Sequence, residues 1–559
     1  MMFKNIWLYL GCFSFFVFCE QKQQTIISKP PNVVFISIDD LNDWVGFLGD
    51  KDAITPNMDA LAKQGYSFLN AHCPAPVCGP SRTAILSGKW PVTTGVYDNH
   101  VNFAKDFPET NSLPEHFKQN GYKVFGVGKI FHGRGIPVSA FDAYGGRMGS
   151  SAPFNSKELQ NSKQNPSHEL IKQGKKFILP LNGMPADRYW NRAHTFDWGA
   201  VDLPDSLFAD RVSVDWAIKR LEESNEEPFF MSIGFERPHQ PLFNPKRFHD
   251  LFPSENIELP SYLEDDFDDL GHRAKQLALY PKTSGKHKTV IKYDQWKNAV
   301  ASYRASVAFV DELIGDLVKA INQNKLSDNT WIFLWSDHGW HLGEKSHWGK
   351  GTGWYRSTRV PLLIIPPKGK IQEVQITQAV NLIDLAPTLA DITGIQKQKT
   401  WEGNSLLPLM NNPKINWDQS TVTTFAIGSH TVSNQKWQLI SYFDGTFELY
   451  DLKKDPNQFE NLANQTAYRK VIDELKSNIP KEPKWKYFIR FNDYKILVPE
   501  DKSSSIKIFD QASLGKVDVD VAEENPIIVQ QIKTYIKAHL PKNNKLIVNL
   551  KNEHLSNQK

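Results

Sequence analysis

Acidic residues directly follow two strongly apolar stretches of the chain. Asp39 and Asp40 come after NVVFISI, and Asp337 and His338 come after TWIFLWS. Such runs are typical of strands buried on both faces of a parallel sheet, and open α/β sheets bind ligands at the carboxyl ends of their strands. One pair alone would be explained by a helix cap or a turn. Both pairs together predict an anionic pocket, in which close carboxylates need a cation to offset their repulsion.

The stretch CPAPVCGPSR contains Cys73 and Cys78 and allows several chemistries. A disulfide would close a very short loop worth about 2 kcal/mol, and two intervening prolines hinder its geometry. Zinc is disfavoured because a second ligand pair of similar spacing is absent. Two inert buried thiols are the common alternative. The apolar run after Ser81 predicts the start of a helix, which would place Cys78 near an anion-binding helix N-terminus.

These side chains must be positioned by the alternation of strands and helices around them. That alternation predicts an α/β fold: a doubly wound, mostly parallel sheet with helices on both faces. The expected strands are 32–38, 66–71, 122–127, 229–234, 330–336 and 361–365, and the expected helices are 55–65, 113–121 and 300–321. The polar region 145–200 is expected to be an insertion loop over one face.

The sequence pattern changes at about Thr400. After it, short segments of alternating apolar and polar residues, such as 436–442 and 446–450, predict antiparallel strands. We therefore expect a catalytic domain at 32–399 and a smaller C-terminal α+β subdomain with a tail at 400–559. Within the latter, 527–540 is expected to form an amphipathic helix, and the basic, Asn-rich end to fray.

Bulk composition excludes several classes of protein. The 559 residues are 40% hydrophobic and 23% charged, with a formal net charge of +3. These values describe an ordinary globular protein and argue against a dedicated nucleic-acid binder.

The N-terminus predicts export. Lys4 precedes the apolar run 6–18, which is short for a membrane span and typical of a signal peptide, here 1–19. Cys19 directly after the run indicates a bacterial lipoprotein whose cysteine is acylated; a cleaved soluble signal is the alternative. Residues 20–31 would be a linker. The expected location is the periplasm or the outer-membrane surface, with a lipid anchor as the sole membrane attachment.

Taken together, these motifs resemble the formylglycine-dependent (type I) sulfatases, which share an alkaline-phosphatase-like fold. The resemblance spans about 32–463 and is similar in detail to the iduronate-2-sulfatase-like branch. The segments that carry it are CGPSR (78–82), LSGK (86–89), GKIFH (128–132), RPHQP (237–241), SDHGW (336–340), WGK (348–350) and ELYDL (448–452).

The resemblance implies a role for each matching residue. Cys78 would be oxidised to formylglycine (3-oxoalanine) by a maturation system, and its hydrated aldehyde would attack sulfur. Ca²⁺, or alternatively Mg²⁺, would be held by Asp39, Asp40, Asp337, His338 and the modified Cys78. The roles implied for the remaining catalytic residues are orientation of the nucleophile by Arg82, binding of sulfate oxygens by Lys129 and Lys350, base catalysis by His132 and leaving-group protonation by His239.

The expected substrate is a sulfated carbohydrate, either a poly- or an oligosaccharide of ulvan, carrageenan or glycosaminoglycan type. Two alternatives remain. One is a phosphodiesterase or phosphatase of the same superfamily, which usually carries Ser or Thr at the nucleophile position. The other is a non-catalytic glycan-binding homologue, against which the filled chemical positions argue.

Overall fold

A computed structural model describes most of the chain between residues 29 and 481, together with four strands and Gln530 beyond it. The described ranges are 29–99, 101–107, 110–133, 135–161, 168–184, 195–223, 227–278, 281–369, 373–417, 419–481, 485–491, 494–499, 507–510, 530 and 546–550. The expected signal peptide 1–19, nearly all of the linker 20–31 and nearly all of the helix 527–540 lie outside these ranges. No helix in the described part is long and apolar enough to cross a membrane.

The centre of the molecule is an eight-stranded mixed sheet. Its strand order across the sheet is Val374–Ile376, Tyr66–Phe68, Leu362–Ile365, Thr330–Ser336, Asn32–Ile38, Phe229–Phe235, Lys123–Gly128 and Ala143–Tyr144. Every neighbouring pair is parallel except those made by Leu362–Ile365, which runs antiparallel to both of its neighbours. The expected doubly wound, mostly parallel sheet is therefore confirmed.

The strand Asn32–Ile38 shows why the sheet is covered on both faces. Its residues alternate between two apolar clusters, with Val34 and Ile36 in one and Val33 and Phe35 in the other, all at most 1% exposed. One cluster includes the helices Pro56–Ala62, Ala209–Glu222 and Trp296–Gln323, and the other includes Cys78–Ser87, Leu113–Gln119 and Leu385–Thr393. The remaining described α-helices are Pro91–Thr94, Phe103–Asp106, Ser156–Asn161, Lys246–His249, His272–Ala278, Pro281–Lys292, Tyr355–Thr358, Leu407–Asn411 and Arg469–Lys476.

The C-terminal part contains the expected antiparallel sheet, which we call the C-terminal sheet. Its strands, in order, are Thr421–Ala426, Ser429–Ser433, Trp437–Ser441 and Phe447–Asp451. The helix Arg469–Lys476 covers one face through Ile472 and Leu475. The expected α+β organisation is thus present, while the boundary at 399/400 stays a prediction.

Two regions differ from the expectation. Region 145–200 is more than a loop: it contains the helix Ser156–Asn161 and the hairpin of His168–Lys172 with Lys175–Leu179, because Leu159, Phe177 and Leu179 pack into the core. Beyond 480, where a helix and a frayed tail were expected, Trp485–Phe491, Tyr494–Pro499, Lys507–Asp510 and Leu546–Leu550 form a four-stranded sheet. The small sheets elsewhere pair Trp198–Val201 with Leu242–Pro245, His341–Leu342 with Trp348–Gly349, and Ala71–His72 with Arg359–Val360 and Val380–Asn381.

Candidate active site

The two acidic pairs meet at one edge of the central sheet. Their strands are parallel neighbours in the register Ile38 to Ser336, so both chains leave the sheet side by side. The backbone N–H of Asp40 donates to Asp337 Oδ1 at 3.1 Å. All four side chains that follow the strands, Asp39, Asp40, Asp337 and His338, are 0% exposed.

Asp40 has a backbone conformation that non-glycine residues rarely adopt, with φ at 63°. Such a conformation costs about 1–3 kcal/mol and persists where surrounding contacts impose it. Here the Tyr303 hydroxyl donates to the Asp40 carbonyl at 2.7 Å and accepts from the Asn42 N–H at 2.8 Å. The contact from Tyr303 therefore holds the chain in the turn that brings the Asp40 carboxylate to the site.

Cys78 is the first residue of the helix Cys78–Ser87 and is 0% exposed. The helix begins earlier than expected, because Pro80 lies in its first turn, where a missing N–H costs nothing. Cys78 Sγ lies 2.8 Å from Lys350 Nζ, 3.3 Å from His338 Nε2 and 3.6 Å from Lys129 Nζ. The side chain is thus surrounded by nitrogen donors.

Cys73 has a different environment. Both Cys73 and Cys78 are free thiols, so the expectation that they form no disulfide is confirmed. The Cys73 N–H donates to Thr358 O at 2.9 Å, and its carbonyl accepts from Thr423 Oγ1 at 2.6 Å. Burial raises the pKa of the Cys73 thiol well above its ordinary value, which keeps it protonated and unreactive.

Arg82, on the same helix, links the ends of three strands and is 1% exposed. Its Nε donates to Asp337 Oδ2 at 2.8 Å, and its Nη2 lies 3.7 Å from Asp39 Oδ1. Its Nη1 donates to the carbonyls of Lys129 and Ile130. Arg82 therefore ties the helix Cys78–Ser87 to the acidic strand ends.

Lys129 and His132 follow the strand Lys123–Gly128. The Lys129 N–H donates to Gly234 O at 2.8 Å, and a side chain at Gly234 would collide with the Lys129 backbone, its Cβ coming within 2.1 Å. Lys129 Nζ contacts Asp39 Oδ2, and His132 lies near enough to the Cys78 side chain for Cys78 to act on its pKa. A glycine at 234 is therefore what allows the backbone carrying Lys129 to approach so closely.

Lys350 and His239 close the other side of the site. Lys350 follows the short strand Trp348–Gly349, and its Nζ donates to Asp40 Oδ1 at 2.5 Å. His239 lies in a turn after the strand Phe229–Phe235; its Nδ1–H donates to Gln240 O at 2.6 Å, and its Nε2 lies 3.9 Å from Asp40 Oδ2. His239 is 27% exposed, so it lies at the open side of the site. The structure thus brings together every residue expected from the sequence.

The charges around the site shift pKa values in directions that bear on chemistry. Burial raises the pKa of Cys78, but Lys129, Lys350 and His338 outweigh it and hold the pKa well below its ordinary value. Burial lowers the pKa of His132, which favours its neutral form. Burial also lowers the pKa of His239, but Asp40 outweighs it, so the net pKa is raised and the protonated form is favoured.

The acidic end of the site fits a hard divalent cation. Two overlapping groups have donor atoms within 4.8 Å of one another: Asp39, Asp40, Cys78 and His239, and Asp39, Cys78, Asp337 and His338. Within the described residues, Asp39 Oδ1 and Asp40 Oδ2 are buried without a hydrogen-bond partner. Buried carboxylate oxygens left in this state are costly unless a cation engages them. His239 in the first group was not expected as a ligand.

Sequence reasoning missed an ion pair beside Lys129. The Arg147 guanidinium donates to Glu236, with Nη2 3.1 Å from Oε2, and Glu236 is 2% exposed. Nothing in the spacing connects residues so far apart in the chain, although Glu236 directly precedes the segment 237–241. The contact of Tyr303 with Asp40 was also missed, because the helix that contains Tyr303 was predicted only from its apolar face.

Comparison with known proteins is consistent with this geometry. The sulfatase family profile matches residues 31–395, and the profile "N-sulphoglucosamine sulphohydrolase, C-terminal" matches 343–485. A sulfatase of Formosa agariphila is 36% identical over 479 residues, covering 83% of this chain and 89% of that protein.

The expected likeness to iduronate 2-sulfatases is also found. The human iduronate 2-sulfatase is 30% identical over 401 residues, covering 65% of this chain and 69% of that protein. One similar solved structure is of a protein in complex with its substrate D-glucosamine-2-N,6-O-disulfate. It has a TM-score of 0.60 at 21% identity, and the match covers 80% of this chain and 96% of that one. This likeness confirms the alkaline-phosphatase-like fold. The profile match over most of the chain and the 36% identity to the Formosa protein establish that this chain belongs to the sulfatase family and is a sulfuric ester hydrolase.

Proposed function

We propose that this sulfatase hydrolyses a sulfate ester of a sulfated carbohydrate, using residue 78 as formylglycine and a divalent cation. The observation that carries the proposal is the surroundings of Cys78: acidic strand ends on one side, and Lys129, Lys350 and two histidines of opposite pKa shift on the other. A sulfate ester hydrolyses very slowly without a catalyst, so groups of this kind must together lower the barrier by roughly 20 kcal/mol.

The cation would be held by Asp39, Asp40, Asp337 and His338, with the oxygen of the modified residue 78 in the place of Sγ. Oxygen-rich ligands favour Ca²⁺ and also admit Mg²⁺. When bound, the cation would supply Lewis-acid stabilisation of negative charge at the reacting centre. The two partnerless carboxylate oxygens of Asp39 and Asp40 support this assignment.

Formylglycine would supply an oxygen nucleophile for sulfur and a route by which sulfate later departs as the aldehyde re-forms. A thiol lacks the second hydroxyl that this route requires. Arg82 would keep residue 78 aligned with the acidic strand ends through its bond to Asp337. Lys129 and Lys350, both with Nζ within 3.6 Å of Cys78 Sγ, are placed to bind sulfate oxygens as they gain charge.

The two histidines would divide the proton transfers between them. His239 is held protonated by Asp40 and lies at the open side, where an alcohol leaves, so it would donate the leaving-group proton. Burial lowers the pKa of His132, and its side chain lies near residue 78, so it would accept a proton from that residue. Opposite pKa shifts in one site are the pattern expected of an acid and a base.

The substrate class rests on the relatives and on the expected export. The glucosamine disulfate of the similar structure and the name iduronate 2-sulfatase both denote sulfated sugars. Ulvan, carrageenan and glycosaminoglycan fragments are the candidate sources. We further propose that the protein is exported, anchored through acylated Cys19, and matured by a formylglycine-generating system; a Cys19→Ala variant recovered without lipid in the soluble fraction would agree with this.

The proposal is tested by mass spectrometry of the peptide that contains residue 78, combined with sulfate release from 4-nitrophenyl sulfate and a panel of sulfated oligosaccharides. Protein from a host with the maturation system is expected to carry formylglycine and to release sulfate, and Cys78→Ser to release none. Cys73→Ser is the matched control and should stay active. Unmodified Cys78 with no sulfate release, or preferential cleavage of 4-nitrophenyl phosphate, would overturn the proposal.

A further inference from the structure

Lys350 is poorly fixed by its own stretch of chain. It lies between Gly349 and Gly351, whose φ angles of 115° and 90° are in the region that glycine alone adopts readily. Because glycine adopts many backbone conformations, the position of Lys350 between two glycines depends on contacts with other parts of the chain. Among the contacts beside Lys350, His347 Nε2–H donates a hydrogen bond to the Lys350 carbonyl at 3.3 Å, and the Gly351 N–H donates one to Pro76 O at 2.9 Å.

The next residues lie against the C-terminal sheet. The Gly353 carbonyl accepts from Thr431 Oγ1 at 2.8 Å. A Cβ on Gly353 would come within 2.6 Å of Ile440 Cγ2, so the side chains of the C-terminal sheet leave no room for a side chain at residue 353. The chain that follows Lys350 is thus seated on a sheet that belongs to another part of the sequence.

Trp354 provides the strongest link. Its side chain is 1% exposed, and its Nε1–H donates to Glu448 Oε2 at 2.8 Å. Glu448 is 0% exposed and also accepts from the hydroxyls of Tyr442 at 2.6 Å and Tyr450 at 2.7 Å. A buried carboxylate held by three donors has a fixed orientation, and so therefore has the indole that binds it.

The chain before Lys350 is held in the same way. Lys345, 3% exposed, donates from Nζ to Asp266 Oδ1 at 2.9 Å and to Gln458 O at 2.7 Å. Contacts with the C-terminal part therefore hold the backbone on both sides of Lys350.

We propose that Glu448 and Thr431 are positioning residues for sulfate-ester cleavage, which hold Trp354 and Gly353 and thereby set the place of Lys350 Nζ beside residue 78. The inference rests on the proposed function, because it concerns the sulfate-binding role assigned to Lys350. It gives the C-terminal sheet a part in the chemistry although none of its residues named above touches the reacting atoms.

A double-mutant cycle on hydrolysis of 4-nitrophenyl sulfate tests the proposal. Trp354→Phe and Thr431→Val each remove one hydrogen bond to the C-terminal sheet. Trp354→Phe is expected to lower kcat/KM by about 10- to 100-fold, since a displacement near 1 Å can cost that much. In a Lys350→Met background the same change is expected to cost about twofold or less, because its effect acts through Lys350. Trp417→Phe is the matched control: it removes an indole hydrogen bond of the same kind, from Trp417 Nε1–H to Ala379 O at 3.2 Å, away from residues 345–354, and should retain activity.

Binding of inorganic sulfate, measured by calorimetry, is the second readout and does not require turnover. Trp354→Phe should weaken it in the wild-type background and leave it unchanged in the Lys350→Met background. Equal losses in both backgrounds, or a Trp417→Phe loss as large as that of Trp354→Phe, would overturn the positioning role and indicate general destabilisation. A wild-type enzyme that releases sulfate from neither 4-nitrophenyl sulfate nor the sulfated oligosaccharides would instead refute the proposed function itself.

Discussion

The assignment of His239 as the acid predicts that the loss of rate in His239→Ala depends on the basicity of the leaving group. In the structure His239 Nε2 lies 3.9 Å from Asp40 Oδ2, and Asp40 outweighs the effect of burial and raises the pKa of the imidazole. A protonated donor matters most when the departing oxygen is strongly basic. For phenyl sulfate, whose phenol has a pKa of about 10, His239→Ala should therefore lower kcat/KM by about 10²- to 10⁴-fold.

That loss corresponds to about 2.7–5.4 kcal/mol of transition-state stabilisation at 1.36 kcal/mol per decade. The assay is a series of substituted phenyl sulfates, from phenyl to 4-nitrophenyl, with rates plotted against the pKa of the phenol. His239→Ala should steepen that plot, because 4-nitrophenolate leaves without a proton. His132→Ala should instead leave kcat/KM nearly unchanged and lower kcat to one value shared by all phenols, because His132 would take its proton from residue 78 in a step after the alcohol has left.

His249→Ala is the matched control, since His249 contacts Ser302 Oγ at 3.2 Å and takes no part in the site. An equal loss for all phenols in His239→Ala would refute the role of His239 as an acid and leave it a role in binding. A steepened plot for His132→Ala would reverse the two assignments.

Three further predictions concern stability. Ca²⁺ added to EDTA-treated protein at 100 times its dissociation constant should stabilise the folded protein by about 2.7 kcal/mol, measured as a rise in the thermal midpoint. Asp39→Asn should abolish this rise, and no rise in the wild type would contradict the cation site. Arg82→Ala should cost about 3–5 kcal/mol in urea unfolding because it leaves the buried Asp337 carboxylate without its arginine partner, whereas Arg469→Ala, in an exposed ion pair with Asp473, should cost about 1 kcal/mol or less. Burial lowers the pKa of His72 to about 3 in the folded protein. Between pH 3 and about 6.5 the unfolded chain therefore binds a proton at His72 that the folded protein does not. The free energy of unfolding should fall as pH falls through that window, by up to about 1.4 kcal/mol per pH unit. His72→Gln should flatten this slope in urea titrations at pH 7, 6 and 5, and an unchanged slope would argue against a neutral buried His72.

The residues that touch the reacting centre could be predicted because they follow strand ends or lie in short, dense motifs. Asp39, Asp40 and Asp337 were recognisable from the apolar runs before them, and parallel strands necessarily deliver their ends to one edge. Lys129 and Lys350 could not have been separated from surface lysines by their type alone; the resemblance supplied them.

The residues that support the site could not be predicted in the same way. Glu448 and Trp354 are far apart in the chain, and their hydrogen bond exists only because the segment before the helix Tyr355–Thr358 packs against the C-terminal sheet. Arg147 and Glu236 are a similar case. The hairpin within 168–179 was missed because its alternation is short and mostly polar, and its strands are stabilised by the contact of Phe177 and Leu179 with a distant core.

The complete burial of Cys78 has a consequence for the order of events during synthesis. An enzyme that oxidises this side chain needs access to it, yet in the folded protein Cys78 is 0% exposed. The segment leading to it is fastened by Thr423 and Thr424, which belong to a strand made much later in the chain. The proposed conversion to formylglycine would then have to precede the docking of that strand. Under the proposed function, protein that folds before residue 78 is oxidised would therefore keep its thiol and stay inactive.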